Sequence, residues 1–280
     1  MAETGFSINR RTLLSRASIA GTAIVAAPFS AALAQSAPPA QATLRRLNWA
    51  GLMLENGDAV VYIDAIRPGE GQTVDSSSDR RVKYALITHS HGDHYDPGFL
   101  HEIMGDRGVL FYQEDTVVDQ RLLRVNPLAM WQPAFMPRSG ADIVAFPVPA
   151  SDGYASEQVS WVVECNGKRF IHCGDTLWHG RWWDIGQAYG PFDWAFLPIN
   201  GAQQDLGRFD IVGSPGVMTP EQAVAAARAL RAETIVPIHY GGAEPPVYVE
   251  EENAEQRLIT TAEEHGVGVH IMAAGDRLTF

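Results

Sequence analysis

The chain has 280 residues, 46% of them hydrophobic and 19% charged, the balance of a folded globular protein with one large domain or two small ones. Its 33 acidic residues outnumber 21 basic ones, and the formal net charge of -12 argues against a nucleic-acid backbone as partner. Two cysteines are too few for a disulfide scaffold or a thiolate zinc cluster, whereas six of the nine histidines fall between His89 and His179.

Taken in chain order, the first element is an export segment. Residues 1–34 hold the pair Arg10-Arg11, a weakly hydrophobic Ala-rich stretch from Ala17, and the small-x-small ending Ala32-Leu33-Ala34. That pattern predicts a twin-arginine signal peptide, cleaved after export to the periplasm or beyond, with the twin-arginine export machinery as a partner. A membrane anchor is the poorer reading, because Pro28 interrupts a run dominated by Ala and Gly. Cleavage removes Arg10, Arg11, Arg16 and Glu3, which takes the net charge from -12 to -14. Such cargo crosses the membrane already folded, and a metal loaded in the cytoplasm is a common reason, an association only. Residues 35–42 read as a flexible leader and residues 43–280 as one domain.

Residues 47–55 and 59–64 are apolar runs around Asn56-Gly57-Asp58, a hairpin signal. Residues 84–88 form a short buried-strand pattern that runs into a His-rich loop. Residues 159–164 and 169–173 flank Asn166-Gly167, a second hairpin. A two-residue turn there sets Cys165 opposite Lys168 and Ser160 opposite Cys173. The two cysteines then point to opposite faces of the sheet and stay free thiols. Strands at 195–199 and 235–238 bracket a helix with Thr219 as N-cap, Pro220 at the first helical position and Gln222 completing a capping box. That helix runs to about Arg231. A second helix covers about 251–265 and stops at Gly266. A strand at 267–272 and an edge strand at 277–280 follow. The order predicts an α/β fold in which two sheets pack face to face with helices outside.

Thr88-His89-Ser90-His91-Gly92-Asp93-His94 places four candidate ligands, His89, His91, Asp93 and His94, within six positions directly after an apolar strand. Imidazole and carboxylate suit zinc and similar divalent ions, and Gly92 lets the backbone fold back so that the side chains converge.

The pattern H-x-H-x-D-H after a hydrophobic strand resembles the metallo-β-lactamase superfamily. Gly174-Asp175-Thr176 and Ile238-His239-Tyr240, each after a strand, match its later motifs in order, so the resemblance spans residues 47–280. It implies a four-layer αβ/βα sandwich. It also implies a hydrolase with two divalent metal ions, zinc first and manganese or iron as alternatives. Their bound hydroxide would cleave an ester, lactone, amide or phosphodiester of a small-molecule substrate. Carried over, His89 and His91 hold the first metal, Asp93, His94 and His239 the second, and Asp175 bridges both. Leu197-Pro198-Ile199 and the stretches 218–223 and 236–240 resemble the branch holding L-ascorbate-6-phosphate lactonase and N-acyl phosphatidylethanolamine phospholipase D.

One ligand of that pattern is missing. The family supplies a further His to the first metal, and in the matching stretch 147–153 Asp152 stands in its place. Three readings are open. Asp152 replaces the imidazole; or the first site is weak or vacant, as in a degenerate member without activity; or His172 reaches in. The last is disfavoured because His172 lies on the hairpin strand opposite Trp161. If Asp152 binds, the core with its hydroxide is neutral rather than +1, which favours harder ions and an activity optimum at higher pH.

Protonation of the leaving group is expected from metal-bound water or from Asp93. His179, Tyr240 and Tyr154 are alternatives, each as consistent with packing as with catalysis. The stretch 176–183, with Trp178, Arg181, Trp182 and Trp183, reads either as an apolar wall with an anion anchor or as core. Residues 127–137, with Met130, Trp131, Phe135 and Met136, cover the pocket mouth or mediate contact in a homo-oligomer. Basic residues at the pocket, with Arg181 and Arg208 as candidates, would favour a phosphodiester. His101, His265 and His270 lack ligand spacing. No stable membrane insertion is expected after cleavage.

Overall fold

A computed structural model describes residues 41–69, 80–121, 123–136, 143–154, 156–204 and 215–280. Residues 1–34, where an export segment is expected, Arg208 and Pro137 lie outside the described residues. In chain order the elements are β1 (Thr43–Arg46), β2 (Leu52–Asn56), β3 (Ala59–Ile63), β4 (Val82–Leu86), α1 (Pro97–Met104), β5 (Val109–Gln113), β6 (Arg124–Leu128) and β7 (Ala134–Phe135). They continue with β8 (Val144–Pro149), β9 (Val159–Cys165), β10 (Lys168–His172), α2 (Trp182–Tyr189), β11 (Phe192–Pro198), β12 (Gln203–Gln204) and α3 (Pro220–Leu230). The last are β13 (Ala232–Ile238), β14 (Tyr248–Val249), α4 (Ala254–His265), β15 (Gly268–Val269) and β16 (Arg277–Thr279).

Two seven-stranded sheets result, ordered β16-β1-β2-β3-β4-β5-β6 and β15-β13-β11-β10-β9-β8-β7, with β12 and β14 as a separate ribbon. Leu54, Val61, Leu86, Trp161, Phe170 and Val236 join the facing sides of the two sheets in one buried cluster. The outer face of the first sheet packs on α1 through Tyr62, Ala85, Phe99 and Leu100. The outer face of the second packs on the other helices through Ile171, Trp182, Leu197, Val224 and Leu258. This is the expected four-layer αβ/βα sandwich.

Local chemistry explains most element ends. Asn166 and Gly167 both have positive φ, 51° and 77°, as a two-residue turn of this hand requires, and Cys165 pairs with Lys168. Cys165 therefore enters the inter-sheet core and Cys173 the helix-side core, and both are free. Thr219 caps α3 with both halves of the capping box present, and Gly266 ends α4 in the left-handed region. The expected strand at 47–55 is broken. Residues 47–51 form a turn closed by Leu47 N–H to Gly51 O (2.8 Å) and Gly51 N–H to Asn48 O (2.8 Å). The expected strand at 267–272 is reduced to Gly268–Val269.

The described part of the stretch around Trp131 packs on β8 and α2. Leu128 and Met136 are buried, Ala134–Phe135 pairs with β8, and Trp131 stacks on Tyr189 at 6.1 Å.

Candidate metal centre

The centre forms where strands of both sheets end side by side. β4 delivers the loop 88–94, β10 delivers Gly174-Asp175-Thr176, β13 delivers His239, and β8 leads into Asp152. Gly174 is required by a close approach: its φ is +60°, and a Cβ there would lie 2.7 Å from Thr88 Oγ1. Three non-glycine residues with positive φ, Trp49, Asp64 and His239, meet around the centre, which is where backbone strain of this kind collects in functional sites.

Two groups of side chains could each hold a metal ion and share one carboxylate. His89, His91, Asp152 and Asp175 form the first. His94, His239 and Asp175 converge in the second, and Asp93, which also groups with His89 and His94, lies with Oδ2 3.7 Å from both His94 Nε2 and His239 Nε2. One oxygen of Asp175 faces the first group, with His89 Nε2 at 3.3 Å from Oδ1. Its other oxygen faces the second, 4.0 Å from His94 Nε2 and 3.7 Å from His239 Nε2. Asp152 accepts from Tyr154 N–H through Oδ1 and turns Oδ2 towards His91 Nδ1 at 3.7 Å. His172 stays out of the group: it is buried, and its Nε2 donates to Ala50 O at 2.7 Å.

Each imidazole is held by its other nitrogen. His89 Nδ1 donates to Thr88 Oγ1 (3.0 Å), His94 Nδ1 to Asp64 Oδ2 (2.8 Å), and His239 Nδ1 to Asn200 Oδ1 (3.4 Å). His91 is held through Nε2 by Ser156 Oγ at 2.6 Å, which leaves Nδ1 to the group. These bonds select the tautomer with a lone pair aimed inward. Asp64, missing from the sequence reading, does this twice. It also accepts from Thr88 N–H (2.8 Å) and Thr88 Oγ1 (2.7 Å), so that one fully buried carboxylate orients His94 directly and His89 through Thr88.

The inward atoms fit a cation, with His89 Nε2 and His91 Nδ1 also within hydrogen-bond distance of one another at 2.9 Å. His94 Nε2, His239 Nε2, Asp152 Oδ2 and Asp175 Oδ1 are buried without any hydrogen-bond partner. A buried polar atom left unpaired costs about 1–3 kcal/mol, and four converging ones make a cavity of lone pairs that a divalent ion would satisfy. The electrostatics agree. Burial pushes the Asp175 carboxyl up to about 7, with His94 opposing and Asp152, Asp93 and Asp64 adding to the rise. Burial works against a charged His94, yet Asp175, Asp64 and Asp93 outweigh it and raise the imidazole to about 9. Burial lowers His239 to about 4 and drives His89 well below the ordinary imidazole value.

A family model described as a Beta-lactamase superfamily domain matches residues 67–240 of this chain. The chain belongs to the metallo-β-lactamase superfamily. It is 30% identical over 204 residues to a UPF0173 metal-dependent hydrolase of Pyrococcus abyssi, covering 70% of this chain and 83% of that one. A UPF0173 metal-dependent hydrolase of Thermus thermophilus is 28% identical over 248 residues, with 84% and 97% covered. Among solved structures, Igni18, a metallo hydrolase from Ignicoccus hospitalis, shares the superfamily fold with a TM-score of 0.65 at 22% identity, covering 86% of this chain and 98% of that one.

The cavity over the centre measures about 320 Å³ and is lined above the ligands by Tyr154, Gln204 and Tyr248. Neither His179 nor Tyr240 lines it. His179 stacks on Trp182 at 4.1 Å, and the Tyr240 hydroxyl donates to Glu255 at 3.0 Å. Trp182 is wholly buried core, and Arg181 pairs with Asp184 at 3.0 Å on the surface, so the stretch 176–183 builds no anion anchor at the cavity.

Proposed function

We propose that this superfamily member is an exported dinuclear hydrolase of uncharged carboxylic esters, lactones or amides. The observation that carries the substrate class is the lining of the cavity, where the carboxylates Asp93 and Asp175 stand beside the neutral Tyr154, Gln204 and Tyr248. His89, His91, Asp152 and Asp175 would hold one ion; His94, His239 and Asp175 would hold the other, with Asp93 joining them from 3.7 Å off His94 and His239. When bound, the ions supply Lewis acidity and acidify water near neutral pH. Asp93, Asp152 and Asp175 cancel three of the four positive charges that two divalent ions bring, which weakens the attraction for an anionic phosphodiester. A neutral acyl substrate needs no such attraction, whereas residues 197–199 and the motifs around Thr219 and His239 resemble a branch that holds both a lactonase and a phospholipase D and so leave the bond type to the cavity.

The remaining chemistry falls to the chain's own groups. Asp93 is half exposed to the cavity with Oδ2 anchored on Trp49 Nε1 (3.0 Å), and its other oxygen takes a proton from the attacking water and passes it to the leaving group. The Tyr248 hydroxyl accepts from Asn200 Nδ2 at 2.7 Å, so its own proton is left to donate to the substrate carbonyl oxygen. Tyr154 spends its proton on Ala202 O at 3.1 Å. Initial rates on a panel of neutral esters, lactones and amides beside phosphodiesters test this reading. Turnover is expected on the acyl substrates, with Tyr248→Phe losing about 10²-fold in kcat and little in KM. Preferential phosphodiester turnover, or an unaffected Tyr248→Phe, would contradict it.

Export is inferred from Arg10-Arg11 and Ala32-Leu33-Ala34. Mass spectrometry of protein recovered from the periplasm is expected to show Gln35 as the first residue; an intact residue 1–34 segment there would count against cleavage.

A further inference from the structure

The turn at residues 47–51 sits beside the second ligand group and is held in place from several directions. Arg46, 5% exposed, donates to the carbonyls of Trp49 and Gly51 (3.2 Å for the latter). No carboxylate pairs with Arg46 among the described residues. A buried guanidinium without a counter-ion is costly, and its burial lowers it to about 10. The two bonds that Arg46 makes fix the turn in which Trp49 adopts φ 53°. From there the indole reaches the centre. Its Nε1 donates to Asp93 Oδ2 at 3.0 Å, and its ring lies 4.3 Å from the ring of His239. The Trp49 carbonyl also receives the His239 N–H at 3.5 Å. On the other side Gly242 leaves room for the ring: a Cβ there would stand 2.7 Å from Trp49 Cζ3.

We propose that Trp49, fixed by Arg46 and seated over Gly242, is the positioning residue of the second metal site, holding Asp93 by a hydrogen bond and His239 by ring contact. This rests on the reading of Asp93 and His239 as ligands of the second ion. The indole N–H occupies one lone pair of Asp93 and so settles which carboxylate oxygen face is turned to the ion. It is also rigid, with two side-chain torsions, both confined by packing against His239 and Gly242. A ligand on an exposed loop gains its geometry from such a support, and loss of a support of this kind typically costs 10–100-fold in metal affinity.

The test is measurement of the two zinc dissociation constants by chelator competition on the full mature chain, for wild type, Trp49→Phe, Asp93→Asn and the double variant. Phenylalanine keeps a ring against His239 and removes only the N–H. One constant is expected to rise about tenfold in Trp49→Phe while the other holds. Adding Trp49→Phe to Asp93→Asn is expected to cause no further loss. Two unchanged constants in a Trp49→Phe chain of wild-type circular dichroism overturn the proposal, as does a tenfold loss that persists in the Asp93→Asn background. If Trp49→Phe does not fold, Gly242→Ala drives a methyl into the indole and is expected to give the same one-site loss; unchanged constants there overturn the proposal equally. A wild-type chain that takes up no second ion overturns the ligand reading itself, and the positioning role falls with it.

Discussion

Asp175→Asn is expected to abolish turnover while leaving the metal-free chain as stable as the wild type or more so. Among the described residues, Asp175 is the carboxylate whose two oxygens face both ligand groups. Loss of a residue that merely orients a ligand costs 10–100-fold, so loss of the shared ligand is expected to cost kcat/KM at least about 10³-fold. Metal content is expected to fall from two ions to one or fewer per chain. The stability effect has the opposite sign. In the metal-free chain the Asp175 carboxyl is buried among Asp152, Asp93 and Asp64, and its pKa is pushed up to about 7. A carboxyl raised in the folded state favours folding when protonated, and works against it as pH rises from the ordinary carboxylate range towards about 7. The neutral amide escapes that penalty. Thermal melting without metal at neutral pH, paired with metal analysis, checks both halves; a variant that keeps two ions and wild-type turnover would remove Asp175 from the centre.

Asp64→Asn is expected to weaken metal binding about 10–100-fold without touching any ligand. The Asp64 carboxylate receives the His94 Nδ1 proton at 2.8 Å, so that Nε2 is the nitrogen that gives up its proton and turns a lone pair to an ion in the second group. An amide Nδ2 in that place donates instead of accepting. The imidazole is then held with its proton on Nε2, where it cannot ligate. Asp64→Ala is the harsher change. It removes the acceptor for Thr88 N–H, Thr88 Oγ1 and His94 at once in a fully buried site, and is expected to cost about 3–5 kcal/mol of stability. Chemical denaturation separates the two: the Asn variant unfolds near the wild type but binds metal weakly, and the Ala variant loses both. An Asp64→Asn chain with wild-type metal affinity would show that tautomer selection does not operate here.

These contacts also explain what could and could not be read from the chain alone. His89, His91, Asp93 and His94 announce themselves because the loop after β4 packs them into six positions. Asp175 and His239 are legible because each follows a strand in a short motif. The groups that orient them come from places far apart in the sequence: Asp64 at the end of β3, Ser156 before β9, Asn200 after β11 and Trp49 in a turn. Asp64 left the best trace, a lone carboxylate closing the apolar run of residues 59–63. Trp49 left none, because residues 47–55 read as continuous strand until the turn closed by Gly51 interrupts them. Among the fold elements, α1 is hidden by Pro97-Gly98, although Asp96 caps it by accepting from Phe99 N–H at 2.8 Å. The strands β6 and β8 are hidden by Pro127, Pro147 and Pro149. β6 is the edge of its sheet, and β7 pairs only with Val144 and Ala145, so these prolines sit where a missing N–H costs little. Tyr248 enters the cavity through the short ribbon with β12, a pairing of two residues that no periodicity signals.

The proposed first metal site depends on Asp152 as a ligand where the superfamily pattern has a histidine. A zinc-loaded crystal structure with anomalous data tests this most directly. Two anomalous peaks are predicted, one of them with Asp152 Oδ2 at about 2.0–2.2 Å beside His89 and His91, and Asp175 between the two. A single peak, or a first ion with Asp152 turned away from it, would contradict the account.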